Sequence, residues 1–370
     1  MYNWARSAER ITEYFNKPGA KVTLGIDGYI DEVWQIVETR KSAAEYKLYD
    51  KINDFTKAVD GTGGSLNEII RKRRSYGGFT CNTGKAVGRL GCDLTMLGMF
   101  GKDTIEPLYQ EFQANYKMFS VGNPGVGEVF EFLDGKIMLT HTEETSSVSW
   151  SQLTSSLSMD TLSTIFGKAD IVGLGYWALL RNFDDLATKL CEHFLEKGKC
   201  SRLFFDFSDI RKHKKQALLD TLNTLYPLNK KVPMTLSVNE HEAKLLFSYM
   251  GRGFAQDDPK SAEKDIDHVR QQTGLDELVV HTPYFSVAST VSEEVATVIQ
   301  RYCKDPVITT GAGDNFNGGY VAASALKGEL NLAERLLVGN ATTGYYIRHG
   351  YSPDKAGLRN EINELLKEQI

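Results

Sequence analysis

The run Thr309-Thr310-Gly311-Ala312-Gly313-Asp314-Asn315-Phe316-Asn317-Gly318-Gly319 sets two glycines and an alanine just ahead of a carboxylate, where a helical pattern begins. Small residues let the backbone turn tightly, so that successive N–H groups can converge on one anion. A helix starting there adds the positive end of its dipole, about half an elementary charge. Asp314 falls in the first turn, beside that anion and free to accept a proton. An anion hole next to a general base is what phosphoryl transfer to a hydroxyl requires. An Asp in a first helical turn also complements the dipole without doing chemistry, so the reading depends on what else the chain carries.

Three other clusters bear on it. Asn239-Glu240-His241-Glu242 follows the apolar run Pro233–Val238, at a strand-to-helix junction where open α/β sheets bind ligands. Asn239 and Glu242 share a helix face and could hold Mg²⁺ through waters. Asn as N-cap with Glu three residues on is equally a capping box. Gly77-Gly78, ahead of Asn82, permits close backbone approach to a polar ligand, and Asn82 offers a donor and an acceptor to hydroxyls. Asp31 is the first candidate, and Asp27 the reserve, for a carboxylate gripping vicinal hydroxyls after the first strand. Gly84-Lys85 is not a phosphate loop, because five residues separate Gly78 from Gly84 and Ala86 follows the lysine.

The elements that must position these residues alternate. Apolar runs at Lys21–Ile26, Leu94–Phe100, Ile171–Tyr176, Arg202–Phe207, Pro233–Val238, Glu277–His281 and Pro306–Ile308 are separated by helix-compatible segments such as Asn82–Leu90, Phe183–Leu195 and Asn239–Tyr249. That rhythm predicts a mainly parallel sheet with helices on both faces. Asp134-Gly135, between two β-favouring runs, predicts a hairpin serving as edge or lid. Glu45–Ala58 and Leu66–Arg73 read as helical, and the basic run Arg71–Arg74 as the solvated end of the second. At 370 residues and net charge −5, the composition is that of an ordinary soluble protein and gives no reason to expect nucleic acid or acidic membrane partners. Five cysteines in no framework and no long apolar run predict a cytoplasmic protein without membrane spans.

In this order the motifs resemble the PfkB carbohydrate kinase family, whose best-known branch is ribokinase. Gly311-Ala312-Gly313-Asp314 with Phe316 and Gly318-Gly319 is the most specific part. Asn239-x-x-Glu242, Gly77-Gly78 with Asn82 and Leu90-Gly91, and Gly98-x-x-Gly101-x-Asp103 are similar to the family's other elements. The resemblance implies one ribokinase-like α/β/α sandwich over residues 1–370, with lid segments near 29–40 and 121–145 and a helical insertion near 41–75. It implies a kinase using ATP and Mg²⁺. Asp314 would be the base and the Gly311, Ala312 and Gly313 amides the anion hole, with Thr310 and Asn340 beside the nucleotide. A free sugar is the expected acceptor, with a nucleoside, or a catalytically weak sugar-binding role, as the alternatives. The Arg71–Arg74 run leaves a sugar phosphate open, and an exposed lid edge could pair with a second copy. Ile308 stands where the family often has an Asp of its monovalent-cation site, which puts potassium activation in question. Ser208 replaces the amide of the usual Asp-x-Asn-x-Arg, and Val280–Phe285 lacks the customary glycines near the nucleotide.

Overall fold

A computed structural model describes residues 4–369. In chain order its first strands are β1 (Lys21–Gly25), β2 (Tyr29–Arg40), β3 (Tyr46–Leu48), β4 (Ile69–Gly77), β5 (Asp93–Gly98), β6 (Lys117–Ser120), β7 (Gly125–Phe132) and β8 (Gly135–His141). They are followed by β9 (Ile171–Gly175), β10 (Arg202–Asp206), β11 (Met234–Asn239), β12 (Glu277–His281), β13 (Phe285–Thr290) and β14 (Ala296–Ile299). Nine strands form one sheet in the order β14-β13-β12-β11-β10-β9-β1-β5-β6. It is parallel from β12 to β6, and β13 and β14 add antiparallel.

Alternation along the buried strands builds two cores. Leu203, Phe205, Leu278 and Val280 face one side, with helices such as Lys215–Asn229 and Glu240–Tyr249. Phe204 and Val279 face the other, with Phe79–Arg89, Ala312–Ser324 and Leu332–His349. This is the expected three-layer sandwich, because period-two side chains buried on both faces require helices on both. The chain builds outward from β1 to β5 and β6 on one side, and from β9 to β12 on the other. The order therefore reverses between β1 and β9, and ligands bind at the carboxyl ends of strands at such a switch point.

The remaining strands form the lid, in the order β3-β2-β7-β8 with β4 pairing β2. Two expectations are corrected here. The insertion near 41–75 is not mainly helical: only Ile52–Val59 is a helix, and Leu66–Arg73 runs largely into β4, which pairs antiparallel with β2. Arg71–Arg74 is thus a strand segment, held by acids on neighbouring lid strands. Lys72 and Arg73 reach Glu131 at 3.1 and 2.8 Å, and Arg74 reaches Glu32 at 2.7 Å. These ion pairs run between strands of the lid, where helical spacing within one window cannot reveal them. Pro306–Ile308 is likewise no strand; it lies in an open connection with Val307 exposed. No helix among the described residues is long and apolar enough to cross a membrane.

The end of the sheet far from the switch point is locked by a buried ion network. Glu277, at the start of β12, accepts from Thr235, Tyr320 and Arg335, each at 2.8 Å. Burial alone would raise its pKa, but the Arg202 and Arg335 guanidiniums overcome this and hold it at about 2. Arg202 also reaches Asp276 at 2.8 Å. Glu277→Ala removes the buried carboxylate that Arg202 and Arg335 share, leaving each only a more exposed partner, Asp276 or Glu293, and is expected to cost about 3 kcal/mol, read as a lower urea midpoint at neutral pH.

Candidate active site

The turn Thr309–Gly311 enters the helix Ala312–Ser324, with Gly311 as N-cap in the left-handed region (φ 83°). Of the three amides expected to form an anion hole, that of Ala312 does not belong to it, because the turn closes on itself and spends this amide on the Thr309 carbonyl at 3.1 Å; that of Asn315 is spent on the Gly311 carbonyl. The amides of Gly313 and Asp314 are the ones an opening helical turn leaves without intrahelical partners. Asp314 is buried, and its Oδ2 accepts from Asn82 Nδ2 at 3.0 Å. Burial pushes its pKa well above the carboxylate range, and the charges of Asp206, Asp27 and Asp31 add to this.

Backbone proximity makes the Asn82–Asp314 contact possible. A Cβ on Gly318 would lie 2.5 Å from Ala86 Cβ and 2.8 Å from the Thr83 carbonyl oxygen. A Cβ on Gly319 would lie 2.8 Å from the Val338 carbonyl oxygen on the opposite side. The glycine pair lets this helix wedge between Phe79–Arg89 and Leu332–His349.

Gly77 and Gly78 clear space for carboxylates. A Cβ on Gly77 would lie 2.8 Å from Asp31 Oδ2, and one on Gly127 2.9 Å from Asp31 Oδ1. A Cβ on Gly78 would overlap Asp27 Oδ2. The two aspartates then differ. Asp27 is fully buried and caps the helix Phe79–Arg89, accepting the amides of Phe79 at 2.7 Å and Thr80 at 2.8 Å and the Thr80 hydroxyl. Asp31 faces a cavity of about 340 Å³, also lined by Asn82, Lys85, Arg73 and Lys136. Burial raises its pKa against the pull of Lys136 and Arg73. Of the two, Asp31 is open to a ligand and Asp27 is committed to the fold.

The capping box at Asn239 is present in full. Asn239 Oδ1 accepts the amides of His241 and Glu242 at 2.9 and 3.0 Å, and Glu242 Oε2 accepts the Asn239 amide at 3.0 Å. Glu242 is also buried close to Asp206, and burial and that like charge push its pKa well up. Asp206, at the end of β10, accepts from the Ser208 amide at 2.6 Å and Asn317 Nδ2 at 2.7 Å. Burial, with the Asp27 charge behind it, raises it to about 6. A buried carboxylate and a half-buried one that repel one another could hold a hydrated divalent cation, which would relieve both. Sequence reasoning had Asp206 only as part of an imperfect motif. Its nearness to Glu242 is a long-range fact.

A second cavity, of about 550 Å³, lies across the Thr309–Gly311 turn, lined among others by Asn239, His281, Thr309, Ala312, Gly313 and Phe316. His281 stacks on Phe316 with centroids 4.6 Å apart, and burial lowers its pKa to about 4, so the ring is neutral. Tyr284 and Tyr302 stack at 5.1 Å on its wall, in the region that lacks the expected glycines. Asn340 stands behind this wall: its side chain donates to the Val298 carbonyl, and its own carbonyl accepts from Gln300, which lines the cavity. Thr310 lines the first cavity instead. Its hydroxyl accepts from Lys136 Nζ of β8 at 2.8 Å, and its carbonyl from the Tyr346 hydroxyl at 2.8 Å. Lys136, at the lid hairpin, had no motif to reveal it.

Two cavities meeting at the Thr309–Gly311 turn, with the buried Asp314 in the first turn of the helix it opens and a β lid beside it, are the arrangement of a ribokinase-like carbohydrate kinase. The profile of the prokaryotic ketohexokinase family matches residues 3–365. A ketohexokinase of Haloferax volcanii is 30% identical over 348 residues, 92% of this chain and 90% of that one. The chain belongs to the prokaryotic ketohexokinase family, and it is an ATP-dependent carbohydrate kinase, as the motifs implied. Among solved structures, phosphofructokinase-2 of Escherichia coli with fructose-6-phosphate superposes at TM-score 0.61 and 14% identity, covering 94% of this chain and 99% of that one. A ribokinase II of Escherichia coli with ATP and Mg²⁺ gives 0.59 and 15%, covering 95% and 99%. These two share the fold.

Carboxylates with raised pKa values bind protons more tightly folded than unfolded. Their stabilising contribution is therefore complete below the unfolded value near 4 and is lost as pH rises through the folded value. The ligand-free protein is expected to show a thermal midpoint that falls from pH 5 to pH 7 on account of Asp314, Asp206 and Glu242. Asp314→Asn, which keeps an acceptor for Asn82, is expected to raise that midpoint at pH 7 while lowering kcat by about 10²–10⁴-fold. Calorimetry and steady-state rates on the same preparation check both.

Proposed function

We propose that this kinase transfers the γ-phosphoryl group of ATP to a hydroxymethyl oxygen of a free ketohexose. The observation that carries the reading is the position of Asp314, in the first turn of the helix that divides the two cavities and tied by Asn82 to the one holding Asp31. The relative from Haloferax volcanii supplies the acceptor class by its name. Asp31, Lys85 and Lys136 give the smaller cavity a charged lining, which suits hydroxyls better than a nucleobase.

In this mechanism Asp31 accepts hydrogen bonds from sugar hydroxyls and sets the hydroxymethyl group against Asp314. Asp314 takes the hydroxyl proton as the oxygen forms its bond to the γ-phosphorus. The bond from that phosphorus to the β–γ bridging oxygen breaks, and ADP leaves with the electron pair. The free amides of Gly313 and Asp314 and the helix dipole receive the charge on the transferred group. Asp206 and Glu242 would hold Mg²⁺ through water, and the bound ion offsets the negative charge of the phosphates. The stacked Tyr284 and Tyr302 offer an aromatic wall to the nucleotide base. Lys136 links the lid to the anion turn, so closure brings a cation to the reacting phosphoryl group while excluding water.

The test is turnover of Mg-ATP with D-fructose and other ketohexoses against aldohexoses, pentoses, fructose 6-phosphate and nucleosides. Ketohexoses are expected to lead in kcat/KM, with phosphorus–proton coupling in the product placing the phosphate on a CH₂ group. Preference for a nucleoside or for the sugar phosphate would sink the proposal. Lys136→Met is expected to lower kcat by about 10²-fold, with Lys136→Arg restoring most of it.

A further inference from the structure

His281 is the last residue of β12, and alternation along that strand turns it, with Glu277 and Val279, toward the helix Ala312–Ser324. Thr282 ends the strand. Its amide donates to the Phe285 carbonyl at 2.8 Å, and its hydroxyl oxygen accepts the amides of Tyr284 and Phe285, each at 3.0 Å. This closed turn stands where the customary glycines are missing, and it fixes the backbone beside the imidazole. The Phe316 ring, inclined at 26° to the imidazole plane, fixes the face.

The edge of the ring is left to do something else. A Cβ on Gly313 would lie 3.2 Å from His281 Cε1 and 3.9 Å from Nε2, so the Cε1–Nε2 edge faces the first turn of the helix. The Gly313 amide there has no intrahelical partner. Neither imidazole nitrogen has a hydrogen-bond partner among the described residues, and neither is sealed from solvent. His281 and Gly313 both line the larger cavity and not the smaller one. Asp314, the next residue, is tied by Asn82 to the smaller one. An oxygen between the Gly313 amide and Nε2 therefore lies on the nucleotide's side of the transferred group. Lys304 also lines the larger cavity but is exposed, whereas the half-buried imidazole is held by its stack and is the better-fixed donor. Burial keeps the ring neutral, with a proton on one nitrogen and a lone pair on the other.

We infer that His281 is a nucleotide-binding residue, whose Nε2–H donates a hydrogen bond to a β-phosphate oxygen of ATP and, after transfer, of ADP. The inference rests on the proposed seat of the transferred group at the Gly313 and Asp314 amides, and it adds the contact on the leaving side.

His281→Phe keeps an aromatic face on Phe316 and removes both nitrogens, while His281→Gln returns an amide donor near the place of Nε2. Affinities for Mg-ADP, AMP and adenosine are measured calorimetrically, alongside the KM for sugar and the thermal midpoint. The Phe variant is expected to bind ADP about tenfold more weakly, with AMP, adenosine, the KM for sugar and the midpoint unchanged. The Gln variant is expected to recover most of the loss. ADP affinity within twofold of wild type in the Phe variant overturns the inference, as does a Gln variant that binds ADP no better than Phe. Equal losses for ADP, AMP and adenosine, with or without a lowered midpoint, also overturn it and make His281 part of the cavity wall alone. If the wild type binds AMP as tightly as ADP, the seat itself fails and takes this contact with it. That outcome is distinct from a wild type that prefers ADP beside an indifferent variant.

Discussion

Like charge concentrated out of water is the constraint around which the active end of this molecule is arranged. Asp27, Glu242 and Asp314 are buried at the carboxyl edge of the sheet with Asp206 half-buried among them, and Asp206, Glu242 and Asp314 each feel at least one of the others. Such a cluster persists only where donors surround it. The fold provides them in kind: a helix N-terminus for Asp27, an amide side chain and a turn N–H for Asp206, a capping box for Glu242 and Asn82 for Asp314. The glycines nearby follow from the same demand. Gly77, Gly78, Gly127 and Gly318 each sit where a Cβ would meet a carboxylate or the helix that supports one.

The opposite end solves the problem by neutralisation. Glu277 lies between Arg202 and Arg335 and needs no ligand to complete it. One end of the sheet is thus electrostatically finished and the other is left for a cation and a phosphate to finish. That asymmetry separates scaffold from site more sharply than any difference in packing, because both cores are equally continuous.

What could be read in the sequence was local. The βαβ rhythm, the Asp134-Gly135 hairpin and the Gly311 turn depend on spacing over a few residues, and they stand where that spacing put them. Of the two readings of Asn239-x-x-Glu242, the cap is present in full and consumes the Asn239 oxygen and one Glu242 oxygen, so that of the pair only Glu242, beside Asp206, keeps an oxygen for a metal. What failed was long-range. Leu66–Arg73 carries a helix-like pattern, yet its cations pair with Glu32 and Glu131 across a sheet, and no window of the chain contains all three. Lys136 was silent for the same reason: it owes its position to a lid folding over a turn 174 residues away.

The unfinished end has a consequence for how long the protein survives in a cell. Anything that binds the folded state and not the unfolded one stabilises it by an amount that grows, above its Kd, with the logarithm of its free concentration. Here the occupants would also discharge a repulsion built into the native state. Resistance to proteolysis should therefore track nucleotide supply, and a starved cell would clear this enzyme sooner than a fed one, with no dedicated degradation signal.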